Sequence, residues 1–220
     1  GTARMGLAGH CQPRHGPALQ GKARLGRFTL KRITCRIEGT TPLLLQQFTD
    51  AAAAKATEGN RVSMIGHHGT PREQAASCIY TNGDKNVPIM PQPNLFRCIM
   101  DAGKFFKAGK SKVTTQKSSL IPACLDMEGL YYVIEHREPW DVDTRPVRIP
   151  ATGGRILRHR PRFNDWAIEF SMNLDSEMLA PKLLREIVDA AGKRIGLGDF
   201  RPDCKGPFGK FVVTKWEEAA

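Results

Sequence analysis

The 220-residue sequence predicts an α+β fold in a single domain. Two observations lead there. Four short segments alternate or cluster apolar residues as strands do, and two longer ones repeat apolar residues at helical spacing. Their order is strand, helix, strand, strand, helix, strand. This is the split βαβ arrangement, in which two helices cover one face of a four-stranded antiparallel sheet. A chain of this length buries a core without disulfide or metal staples. With 40% hydrophobic and 25% charged residues it has the composition of an ordinary globular protein. No run approaches 18 apolar residues, which excludes a membrane-spanning helix. The first residues lack the continuous apolar core of a secretory signal.

Residues 1–26 are glycine-rich, basic and without periodicity, and are read as a flexible basic tail; the folded domain spans 27–218. Its first strand runs from Phe28 to Glu38. Ile33, Cys35 and Ile37 point one way, while Arg32, Thr34 and Arg36 point the other. Gly39-Thr40-Thr41-Pro42 ends this strand, and residues 43–70 form a long insertion. A helix begins near Pro93, where proline's missing N–H costs nothing, and carries the stripe Leu95, Phe96, Ile99, Met100, Gly103, Phe106. Lys104 and Lys107 follow at its end, where cations suit the helix dipole. Leu130–Glu135 is the expected second strand. Arg145–Arg162, punctuated by Pro150 and Gly153-Gly154, reads as a protruding basic hairpin. Trp166–Leu174 has the clearest strand alternation in the chain. Ser176 is the expected cap of the second helix, whose buried face runs through Leu183, Leu184, Ile187, Val188 and Ile195. Lys210–Trp216 closes the chain. The result is a ferredoxin-like, RRM-like βαββαβ domain, with a long insertion after the first strand and an extended basic hairpin between the second and third.

The net charge of +11 is unevenly placed. Residues 1–37 carry eight Lys/Arg and no acid, 104–117 five lysines and no acid, and 145–162 six arginines and no acid. The remainder is net negative. Such segregation favours an electrostatic footprint for a polyanion, although ordinary basic proteins also carry patches.

Three features could carry chemistry. Arg145, Arg148, Arg155, Arg158, Arg160 and Arg162 present planar donors suited to phosphate; the alternative is a solvated hairpin. Gly196, Gly198, Gly206 and Gly209 would let backbone N–H groups approach a phosphate. Lys193, Arg194, Arg201, Lys205 and Lys210 flank them, with Asp199 and Asp203 expected to pair with neighbouring arginines. The spacing is not that of a Walker loop. Lys205–Val213 looks like the aromatic RNA-contacting signature of RRM domains with an insertion, placed on the last strand instead of the third. Catalytic signals are weak: His67, His68 and His159 lie in polar contexts, but no spacing selects them, and no GxSxG or HExxH motif is present. Six cysteines without a CxxC pair argue against zinc and read as reduced thiols; no cofactor or metal is expected.

The segment Ile37-Glu-Gly-Thr-Thr-Pro-Leu-Leu44, the long insertion, the basic mid-chain hairpin and the stretch Gly196–Phe211 together resemble the RAMP superfamily. These are the ferredoxin-like RNA-binding subunits of CRISPR effector complexes; the backbone subunit is the type this sequence is most similar to, with free-standing phage relatives. The resemblance implies sequence-independent binding of single-stranded RNA (or DNA) in the cytoplasm of a bacterial or phage-infected cell. It also implies a homo-oligomer along the strand, or a subunit of a ribonucleoprotein, with the arginine hairpin between neighbours. Two alternatives accompany it. One is a RAMP-type endoribonuclease, for which Asp50, the acid in the loop after the first strand, and His67 are the candidates. The other is a phage structural or assembly protein with no nucleic-acid role.

Overall fold

The structure, a computed structural model, describes residues 30–47, 69–83, 87–148 and 153–219. The basic tail, most of the long insertion and the hairpin's turn lie outside the described residues. What is described has mixed α/β character, with antiparallel sheets and few helices.

The alternation in the first strand does what period two requires. β1 (Leu30–Gly39) is the central strand of a four-stranded antiparallel sheet. It lies between β11 (Ala167–Asp175) and the last strand, β12 (Phe211–Ala219). Ile33, Cys35 and Ile37 are fully buried opposite Met172, Phe170 and Ile168. α2 (Gln92–Ala102) and α4 (Pro181–Ala190) contribute Leu95, Ile99, Leu184, Ile187 and Val188 to the same core. Pro93 sits in the first turn of α2 as expected. α4, however, begins at Pro181 with Ala180 before it, so Ser176 is not its cap. Asp175 instead accepts the Glu177 N–H and organises the preceding turn.

The second strand of this sheet is not Leu130–Glu135. The edge position beside β11 is filled by β7 (Leu125–Met127), whose Leu125 and Met127 bury opposite Leu174 and Met172. Three residues are too few to announce themselves by periodicity. β8 (Tyr131–Val133) turns away at Gly129, which has φ +86°, and pairs with β4 (Val87–Pro91) in a separate sheet. Only Glu135 returns to β11, through a bridge to Ala167.

The uncovered face of the main sheet is acidic. Arg32 binds Glu128 at 2.7 Å, and Arg36 is surrounded by Glu135 at 2.6 Å, Glu38 at 3.3 Å and Glu169 at 3.9 Å. Hydrogen bonds from Arg32 and Arg36 hold the Glu128 and Glu135 carboxyls below their ordinary value. These pairs are mostly exposed and each contributes modestly.

A third layer carries the basic segment. β9 (Asp141–Arg148) and β10 (Arg155–Phe163) form the predicted hairpin, and β10 also pairs with the short β2 (Leu43–Leu44). α1 (Pro71–Ala76), closed by a Thr70/Glu73 capping box, packs on the hairpin. The glycine-rich segment is laid against β2: Asp199 N–H donates to Leu44 O and Gly209 N–H to Pro42 O, both at 2.8 Å. The approach is so close that a Cβ on Gly198 would stand 2.2 Å from Leu44 O, and one on Gly209 1.9 Å from Leu197 O. Both glycines also have φ near +70°, where side chains are strained.

Two outcomes follow. Gly209→Ala should lower unfolding stability in urea by about 2 kcal/mol or more. Gly83→Ala, where an added Cβ meets open space, should stay within about 0.5 kcal/mol; equal effects would contradict the packing role. Because the Glu135 carboxyl is depressed in the folded protein, its pairing supports the fold at neutral pH and is lost as pH falls below about 4.5. Glu135→Gln should therefore melt below wild type at pH 7, and the gap should narrow in acid. A gap independent of pH would refute that pairing.

Candidate nucleic-acid interface

The pairing register sorts the six hairpin arginines onto two faces. Arg145, Arg158, Arg160 and Arg162 share one face with Asp141 and Asp143; Arg148 and Arg155 share the other with Pro146, Leu157, Thr144 and His159. Two pairs of arginines stand directly opposite one another, Arg148 with Arg155 and Arg145 with Arg158, an arrangement that costs stability when left uncompensated.

The block is not free of counter-acids, as its own residues had implied. Asp143 binds Arg145 at 2.9 Å, Asp141 binds Arg162 at 3.0 Å and Asp199 meets Arg160 at 2.6 Å. Two of these acids lie just upstream of the block and one far downstream. The Asp141 carboxyl is held low by hydrogen bonds from Arg162 and Asn164. Arg160 is only 6% exposed, so its guanidinium joins the hairpin to the glycine-rich segment and is withheld from an external phosphate. Arg158 is half-buried. Arg148 and Arg155 are exposed and have no ion-pair partner among the described residues. Beside them, Leu157 is 63% exposed. These two arginines near the turn are the hairpin's available cations.

From Arg145 a line of contacts runs across the molecule. Its guanidinium stacks 4.8 Å from the Phe208 ring and 5.9 Å from Phe200. In the same segment Arg201 donates to Gly198 O and lies 3.7 Å from Asp203. Asp203 in turn binds Lys104 at 3.1 Å. Lys104 and Arg194 both approach the ring of Phe105, at 5.2 and 4.7 Å, and this ring is 42% exposed. Asp199 and Asp203 thus pair as expected and order the segment. Beyond Phe105, β5 (Lys107–Ala108) and β6 (Ser111–Lys112) form a small hairpin. Its Lys107, Lys110 and Lys112 are exposed and without acid partners among the described residues. Lys193 and Lys205 are exposed nearby in sequence, the latter left-handed at φ +62°. Lys210 stands at the entry to β12, where its backbone is tied to Thr40 and Thr41. Phe105, Lys110 and Lys112 were not singled out from sequence, although the lysine block containing the last two was plain.

Two expectations about this segment need correcting. Three of the four glycines offer no open amide: the N–H groups of Gly196, Gly206 and Gly209 donate to Ala191, Arg201 and Pro42 carbonyls. Glycine is required there because main chain packs on main chain. The RRM-like stretch Lys205–Val213 also presents no stacking surface, since Phe208 and Phe211 are 7% and 1% exposed. Neither ring can receive a base.

Of the catalytic candidates, Asp50, His67 and His68 lie outside the described residues, and His159 Nδ1 shares a hydrogen bond with the Thr144 hydroxyl at 2.8 Å. Among the described residues no group of three His, Cys, Asp or Glu could hold a metal. Cys35, Cys78, Cys98 and Cys124 are buried free thiols, and burial raises the Cys35 thiol to about 12. No described helix is long and apolar enough to cross a membrane.

The sequence matches no protein-family model and no curated protein. The fold, however, is similar to a chain in a solved structure described as "Cryo-EM structure of the Type III-B Cmr-beta bound to cognate target RNA". The TM-score is 0.51 at 11% sequence identity, over 86% of this chain and 60% of that one. At that identity the likeness is one of fold. This chain spans about three-fifths of the length of its neighbour.

Proposed function

We propose that this protein binds single-stranded RNA along the basic track and works as a subunit of a ribonucleoprotein. On this reading the domain is ferredoxin-like: its sheet runs in the order last, first, third, second strand, with two helices in the core on one face. The fold neighbour, described as bound to target RNA, supports the assignment. What carries it is the series of contacts from Arg145 onto Phe208, and from Arg201 through Asp203 to Lys104 and Phe105, with exposed cations at either end: Arg148 and Arg155 on the other face of the arginine hairpin, and the lysines of β5–β6. Cations along such a line meet phosphates, and an exposed ring beside them offers a base a stacking partner. Binding by phosphates is independent of sequence.

The acidic open face argues for the same placement from the other side. In RRM-type domains the sheet itself receives the RNA. Here four glutamates against two arginines repel a polyanion from that surface. The strand is therefore directed to the hairpin edge. Stacking of copies along one strand, with Arg148 and Arg155 reaching toward a neighbour, belongs to the same proposal.

Fluorescence anisotropy with a labelled single strand tests the reading. Affinity should fall steeply between about 50 and 200 mM salt, with a log–log slope of about −0.7 per phosphate contact. Replacing both Arg148 and Arg155 by alanine should weaken binding similarly for all sequences and reduce that slope by about 1.4. Unchanged binding after the double substitution would remove the hairpin tip from the interface. A protein that ignores single strands at low salt would refute the proposal.

A further inference from the structure

A cavity of about 280 Å³ opens beside the basic track, between α2 and the glycine-rich segment. Asn94, Arg97 and Asp101 line it from the helix, Asp199 and Arg201 from the segment, and Tyr80 supplies an aromatic wall. Two of these residues already belong to the contacts that order the track: Asp199 pairs with Arg160 of the hairpin, and Arg201 lies beside Asp203, the partner of Lys104. A strand following the track from hairpin to lysines therefore passes the mouth of the cavity.

The volume suits one nucleobase, being smaller than the pockets that enclose larger ligands. The donor and acceptor set is specific. Arg97 and Arg201 are arginines, the residue type that donates in pairs to the O6 and N7 acceptors of guanine. The Asp101 carboxylate only accepts, which suits the N1–H and N2–H₂ donors of the same base; the Asp199 carboxylate is already held by Arg160 and the Phe200 N–H and forms the wall. Asp101 is bound by Arg97 Nε at 2.9 Å to both oxygens, which fixes the carboxylate while leaving lone pairs open. The Asn94 side chain is exposed and makes no hydrogen bond among the described residues. Adenine would set its N6 amino group against the arginines, and uracil offers no amino donor to Asp101.

We infer that this cavity is a guanine-binding pocket, which holds one base of a strand lying on the track, stacked against Tyr80. The inference rests on the proposed RNA track but adds to it a preference that phosphate contacts cannot give. The same chemistry would recognise the base of a free guanine nucleotide, so the test separates the two sources.

Anisotropy is measured with poly-U strands containing one central guanosine, adenosine or abasic position, and calorimetry with guanosine monophosphate alone. The guanosine strand should bind wild type about tenfold more tightly than the other two. Asn94→Ala and Asp101→Asn should each abolish that difference while leaving poly-U affinity unchanged; two variants guard against one that misfolds. Equal affinity for all three strands, with poly-U binding intact, overturns the pocket and leaves the track standing. Loss of strand binding in wild type overturns the track. In that case binding of guanosine monophosphate that Asp101→Asn removes would sustain the pocket as a nucleotide site, and no binding would overturn it too.

Discussion

The junction of Leu43–Leu44 with Asp199 is the constraint on which the basic surface depends. β2 is only two residues long, yet it pairs with β10 of the arginine hairpin on one side and receives Asp199 N–H through Leu44 O on the other. The Asp199 carboxylate then meets Arg160, so one residue ties the glycine-rich segment to β2 through its backbone and to the hairpin through its side chain. Burying such a pair is costly in itself, and removing either partner would leave an isolated charge in place. Its value lies in geometry. It fixes where Arg145 stacks on Phe208, and hence where the line of cations begins.

The glycines serve that junction. Gly198 and Gly209 lie where a side chain would collide with a carbonyl oxygen, and their left-handed backbone completes the turns around the crossing. A phosphate-cradling loop and a tightly packed crossing make the same demand on composition, namely glycine. They differ in where the amide hydrogens point, and here those of Gly196, Gly206 and Gly209 point inward. The electrostatic pattern has a similar logic. Acids collect on the open face of the sheet around Arg32 and Arg36, while unpaired lysines and arginines collect at the hairpins. The two surfaces are thereby made unlike in charge, an asymmetry of the kind that can orient a charged partner before contact.

Much of the scaffold was legible because periodicity is a local property. β1, β11, the two main helices and the arginine hairpin each span enough residues for their buried faces to show in the sequence. β7 was missed because three residues display no period, and Leu130–Glu135 took its place because Leu130, Tyr131 and Val133 are apolar. They are nevertheless exposed, and apolar character alone does not assign a strand to a sheet. Phe105 read as part of a basic stretch; only its exposure beside Arg194 marks it as a surface ring.

The sequence by itself determined the α+β class, the two amphipathic helices, the position of the basic hairpin and the segregation of charge, because each is written in neighbouring residues. The tertiary structure decided which charges are available. Arg145, Arg160 and Arg162 find acids that lie two, thirty-nine and twenty-one positions away, whereas Arg148 and Arg155 find none among the described residues. Pairing is a property of distance in space. The same holds for the cavity beside Tyr80, whose walls come from four separate parts of the chain and exist only once the glycine-rich segment is laid against β2.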